Sequence, residues 1–175
     1  MSNLVAVTVV GIDRPGIVAA ISKVLYDRGC NLEDVSSTIL RGHFSMMLLV
    51  HIPPSVEPGT LEGELDEAGK ALGLTVTVRA VEETTSEVPA PTHMVSVYGA
   101  DKPGIVYRVT DALARLGVNI TDLNSRLIGD EDDPVYALQI EVQAAPSCDL
   151  DQVLPPLREE LGVDLSVHQI QADVL

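Results

Sequence analysis

Apolar residues run almost unbroken from Leu4 to Val10, which predicts a buried strand. Ile17, Val18, Ile21, Val24 and Leu25 then recur at helical spacing and predict an amphipathic helix. Asp13 stands three residues before Gly16, so it is expected to cap that helix, with Pro15 and Gly16 in its first turn. Gly29 supplies the left-handed residue that ends it. Cys30–Leu40 carries Leu32, Val35 and Ile39 and reads as a second strand. Arg41-Gly42 is a tight reversal, and His43–Ile52 is a third strand rich in Met and Leu. After the loop Pro53–Gly59, Thr60 is placed to cap a helix whose buried face is Leu61, Leu65, Ala68 and Leu72. Alternation over Leu74–Val81 predicts a closing strand.

The pattern then begins again. Gly11–Ser37, GIDRPGIVAAISKVLYDRGCNLEDVSS, aligns without a gap with Gly99–Ser125, GADKPGIVYRVTDALARLGVNITDLNS, at a constant offset of 88 residues. His93–Tyr98 repeats the first strand and Pro103–Leu116 the first helix. Val118–Ile128 and Pro134–Val142 repeat the hairpin. Asp149 or Asp151 is expected to cap the helix carrying Val153, Leu154, Leu157 and Leu161, which Gly162 ends before the strand Val163–Ile170. Pro155-Pro156 belongs in a first turn, so that helix is expected to start late. The order βαββαβ, twice over, predicts an α+β protein. Its two ferredoxin-like domains each have a four-stranded antiparallel sheet with both helices on one face. Their bounds are 1–82 and 92–175, joined by the polar, proline-bearing linker 83–91.

Composition narrows the function. The chain is 46 % apolar but 3 % aromatic, so its cores are aliphatic. Net charge is −15, and both halves are acidic: 6 basic against 12 acidic groups in 1–87, 5 against 14 in 88–175. Such a surface repels a polyanion, so no direct nucleic-acid binding is expected. Cys30 and Cys148 make neither a disulfide framework nor a CxxC pair. There is no basic leader and no apolar run long enough to span a bilayer, so a cytoplasmic protein away from membranes is expected.

Candidate chemistry gathers at the first turn. The exposed amides of the helix start favour an anion, Gly16 leaves that backbone open, Asp13 suits an ammonium group, and Asn31 can donate or accept. Asn31, at the start of the second strand, is expected beside the first loop. The second copy offers Asp101, Lys102, Gly104 and Asn119. The same residues also make good capping and turn chemistry without any ligand. Asp130–Asp133 lacks EF-hand spacing and reads as a solvated hairpin tip. His43, His51, His93 and His168 have no metal-ligand spacing, and no serine sits in a nucleophile elbow. Neither a metal, a cofactor nor a catalytic group is expected.

D-[RK]-P-G-I-V followed by G-x-N-[IL]-x-D, present twice, resembles the ACT domain, a small-molecule sensing module of amino-acid metabolism. Within that family the chain is most similar to the glycine cleavage system transcriptional repressor group, tandem-ACT proteins that lack a DNA-binding domain. The strand RGHFSMMLLV shares that likeness. The resemblance implies pairing of units, hence a homo-oligomer such as a dimer, with an amino acid at the interface. Carried over, the binding positions are Gly11, Asp13, Arg14, Pro15, Gly16 and Asn31, and Gly99, Asp101, Lys102, Pro103, Gly104 and Asn119. Several serine-binding relatives have His and Asn where this chain has Gly11 and Asp13. It implies a non-catalytic regulator that senses a small amino acid, such as glycine, and controls a partner such as a transcription regulator. The alternatives are a module acting in trans on a metabolic enzyme, as ACT units do ahead of formyltetrahydrofolate deformylase domains, and a ligand-free structural dimer.

Overall fold

A computed structural model describes residues 3–82, 90–130 and 134–170. The linker expected at 83–91 falls mostly outside the described residues, as do three acids of the 130–133 run. The chain divides into two compact units, Met1–Ser86 and Glu87–Leu175.

The first unit runs β1 Leu4–Ile12, α1 Ile17–Asp27, β2 Asn31–Leu40, β3 His43–His51, α2 Pro58–Lys70 and β4 Leu74–Ala80. Its sheet is antiparallel with order β2-β3-β1-β4. The second unit repeats this with β5 His93–Gly99, α3 Ile105–Arg115, β6 Asn119–Ile128 and β7 Val135–Gln143. It ends with α4 Leu150–Val153, α5 Pro156–Leu161 and β8 Asp164–Gln169, in the order β6-β7-β5-β8. This is the expected α+β plan, two four-stranded antiparallel sheets with helices.

Each core is the aliphatic layer between sheet and helices. In the first unit Val5, Val7 and Val9 of β1 meet Ile17, Ile21 and Leu25 of α1 and Leu61 and Leu65 of α2. In the second, Val95 and Val97 meet Ile105, Val109 and Leu113, with Leu150 and Leu154 opposite. Cys30 and Cys148 are half-buried and pack on these cores.

The helix ends show which local signals prevailed. Gly29 lies at φ 67°, its N–H bonded to the Tyr26 carbonyl and that of Cys30 to the Leu25 carbonyl. That double closure is the Schellman motif, and Gly117 repeats it with Ala114 and Leu113. At the starts, the expectation for Asp13 needs correction. α1 begins at Ile17 with Gly16 at its N-cap, at φ 96° and with no side-chain cap. The left-handed glycine turns the chain, so Asp13 sits three residues too early for its carboxylate to reach the helix amides. Thr60 does not cap α2 either: the helix starts one turn earlier, with Glu57 as N-cap and Pro58 as its first residue. Pro155-Pro156 divides the last helix into α4 and α5. Asp149 caps α4, its carboxylate accepting from the Gln152 N–H at 3.2 Å.

The outer strands differ. The β4 edge is partly closed by the protein itself, since the Val78 N–H donates to Glu62 at 3.3 Å. In the second unit the Arg158 Nε donates to the Leu165 carbonyl of β8 at 2.6 Å. The opposite edge strand β2 is exposed along its whole length, with no charge from Val35 to Leu40. Its Leu32, Val35 and Ile39 lie on the helix side yet stay open to water.

Both hairpins bulge at the same place, between Leu32 and Asp34 and between Ile120 and Asp122. The extra residue is Glu33 in one, its carboxylate 2.9 Å from the His51 Nε2, and Thr121 in the other. The Thr121 Oγ1 is buried without a hydrogen-bond partner. An orphaned hydroxyl of this kind costs about 1–3 kcal/mol. Thr121→Val keeps the branched shape and removes the orphan. It is expected to stabilise the second unit by about 1 kcal/mol, read as a higher urea midpoint at unchanged slope.

Candidate functional site

The end of β1 and the loop to α1 bring Gly11, Asp13, Arg14, Pro15 and Gly16 to one end of the sheet. The loop backbone is held by the β2–β3 turn, where the Asp13 N–H donates to the Gly42 carbonyl at 2.8 Å. That turn runs through Arg41 at φ 48° and Gly42 at φ 81°. Asp13, Arg14, Pro15 and Gly16 are exposed, and so are Asp101, Lys102, Pro103 and Gly104 of the second copy.

Two glycines of this segment do different work. A methyl group on Gly16 would meet nothing within 4 Å, and the same holds at Gly104, which sits at φ 98°. The side-chain direction at Gly16 is therefore open, and the α1 start has no side-chain cap and no acid in its first turn. The α3 start is built the same way. Gly11 is packed instead. A methyl group there would lie 2.6 Å from the Leu74 Cδ2 and 3.1 Å from the Gly73 carbonyl oxygen. A methyl group on Gly99 would lie 2.8 Å from the Val163 Cγ1. At these two positions the side-chain direction is taken up by the entry to the last strand. The backbone alone remains for a ligand.

Asn31 is not beside the loop of its own unit, which corrects the expectation from sequence. β1 and β2 both run antiparallel to β3, and in that register Leu4 and Asn31 share His51, while Ile12 and Leu40 share His43. Asn31 thus lies at the far end of the sheet, eight residues along, or roughly 26 Å. The second unit is alike: Asn119 pairs with Gln143 and Gly99 with Tyr136. The reason is chain direction, since α1 carries the chain back down before β2 begins. In each unit the first loop and the asparagine that opens the second strand therefore lie at opposite ends of the sheet.

Burial pushes the Cys30 thiol up, opposed by the nearby Arg28 guanidinium, so it is poorly ionised at neutral pH. Among the described residues no group of three or more His, Cys, Asp or Glu side chains is placed to hold a metal ion. Nor is any helix among them long and apolar enough to cross a membrane. Sequence reasoning missed Gly42, Gly73 and Leu74 as the residues that seat the loop. Gly42, in the expected Arg41-Gly42 reversal, and Gly73, just before an expected strand, carried visible signals.

The ACT domain profile matches residues 3–79 and again 92–168. The chain is 29 % identical to the glycine cleavage system transcriptional repressor of Escherichia coli over 96 % of its length and 90 % of that protein. It is 31 % identical to the phosphoserine phosphatase SerB2 of Mycobacterium tuberculosis over 94 % of its length, but spans only 40 % of that protein. A crystal structure of an unknown protein from Galdieria sulphuraria superposes with a TM-score of 0.78 at 27 % identity, covering 98 % of this chain and all of that one. With both units matched and both folded as βαββαβ sheets, the chain belongs to the ACT domain family.

Proposed function

We propose that this protein is a non-catalytic regulator that binds a small amino acid, glycine first among the candidates. It passes that state to a partner protein such as a transcription regulator of amino-acid or one-carbon metabolism. The observation that carries the reading is the duplicated loop: twice, a helix start without a side-chain cap follows a left-handed glycine whose side-chain direction is open, with an aspartate close by in sequence. The amides suit a carboxylate and the aspartate an ammonium group. The relation to the E. coli repressor supports the regulatory role, and the charge of −15 suits a basic patch on a partner.

As two half-sites, the loop and the asparagine call for a second copy of the chain. The open β2 edge is self-complementary about Ser37: an antiparallel neighbour sets Val35 against Ile39 and Ser36 against Thr38. The same pairing brings Asn31 of the second copy level with the Gly42 turn, and so to the loop that Gly42 holds. A homodimer with the amino acid across its seam follows. Thermal unfolding tests the binding. An amino acid at a hundredfold excess over its dissociation constant adds about 2.7 kcal/mol, roughly 5–10 °C for a chain of this size. If none of the twenty moves the midpoint at 10 mM, the sensing reading is lost.

A second reading has its own support. Nearly the whole chain is similar to part of a phosphatase, which favours a regulatory module acting on a metabolic enzyme. Affinity capture separates the two, since a DNA-binding regulator or a metabolic enzyme comes down with the chain.

A further inference from the structure

The cation of the repeated motif has an unexpected neighbour. The Arg14 Nη2 lies 3.8 Å from where a side chain on Gly73 would begin, and the Lys102 Nζ lies 3.4 Å from the matching point on Gly162. Both glycines have positive φ, 69° and 64°, and both stand where the last helix of their unit gives way to the last strand. The second helices are built differently, one continuous over Pro58–Lys70 and the other broken into α4 and α5. The cation nevertheless reaches the same place in each, as Arg in one copy and Lys in the other. Neither is in an ion pair among the described residues, whereas Lys23, Arg28, Lys70, Arg108, Arg115 and Arg158 all are.

A helix exit concentrates unpaired carbonyls and partial negative charge, which a cation within the last turn stabilises. The same junction is held from its other side. Gly11 packs on the Gly73 carbonyl and on Leu74, and Gly99 packs on Val163. The loop therefore meets the helix exit at two points, a close backbone approach and a nearby cation.

We propose that Arg14 and Lys102 are positioning residues that latch the first loop of each unit to the exit of its last helix, so that loop and last strand move as one piece. The latch does not depend on the binding reading above, and its test uses no ligand. Hydrogen exchange is followed in the full-length protein at amides 71–75 and 160–164, for Arg14→Gln, Lys102→Gln and the charge-conserving Arg14→Lys. Each glutamine variant is expected to speed exchange about two- to fivefold at the junction of its own unit only. Arg14→Lys should restore the native rate, and 0.5 M KCl should bring the native protein part of the way to the variant. Unchanged junction exchange in both glutamine variants overturns the proposal. So does acceleration spread evenly over the unit, or an Arg14→Lys variant that behaves like Arg14→Gln.

Discussion

Replacing Val35 and Ile39 together by lysine is expected to leave the first unit folded and to make the protein a monomer. The two side chains are 59 % and 55 % exposed, so each unit gives up little by the change. Exposed substitutions away from special features cost within about 0.5 kcal/mol. The effect falls on association. In the antiparallel pairing about Ser37 each lysine faces the other lysine of the second copy, twice per seam, in the strand that now carries no charge between Val35 and Leu40. Lysine on an edge strand is the device by which sheet proteins prevent edge-to-edge growth. The outer strands β4 and β8 already have backbone groups engaged by Glu62 and Arg158, so β2 and β6 are the edges left open, and of these β6 carries Arg126 in its second half while β2 carries no charge there. Sedimentation equilibrium reads the result directly. Because Asn31 and the loop lie at opposite ends of each unit, the monomer should also lose any amino-acid-dependent thermal shift. A variant that stays dimeric, or a native protein that is monomeric at micromolar concentration, removes the seam and the shared site with it.

The fold was largely legible because hydrophobic spacing and glycine placement agree. Ile17, Ile21 and Leu25 are buried at the spacing the sequence shows, and Gly29 and Gly117 end their helices as their position suggests. The helix starts were read less well. Asp13 has the chemistry of a cap, but Gly16 takes the N-cap position through its positive φ, and conformation outranked side-chain chemistry. Pro58 likewise outranked Thr60, because proline is favoured in a first turn for its fixed φ. The site was half legible. Residues adjacent in sequence, Asp13 to Gly16, do form one loop. Asn31 was drawn to that loop by its place in the motif, although strand direction sends it to the other end. Which end of a sheet a residue occupies follows from counting chain reversals, and periodicity alone carries no such count.

Gly11 and Gly16 should separate under the same substitution. Gly11→Ala puts a methyl group 2.6 Å from the Leu74 Cδ2, 3.1 Å from the Gly73 oxygen and 3.3 Å from the Leu74 Cα. The leucine tip can turn away, but the two backbone atoms belong to the strand pair Gly11–Leu74 and yield only if β1 and β4 part. Overpacking of that kind costs about 1–3 kcal/mol. Gly16→Ala meets no atom within 4 Å, so its cost is the left-handed backbone at φ 96°, about 1–2 kcal/mol. Stability alone separates the two poorly; function separates them well. At Gly16 the new methyl group stands on the N-cap residue of α1, next to the amides to which the proposed function assigns a carboxylate. Urea unfolding of both variants, each followed with and without 10 mM glycine, is expected to show Gly11→Ala destabilised yet still stabilised by the amino acid. Gly16→Ala should lose the response of the first unit, leaving that of the second at Gly104. The double variant Gly16→Ala, Gly104→Ala should then be silent. A double variant that still responds in full would place the amino acid somewhere other than these two helix starts.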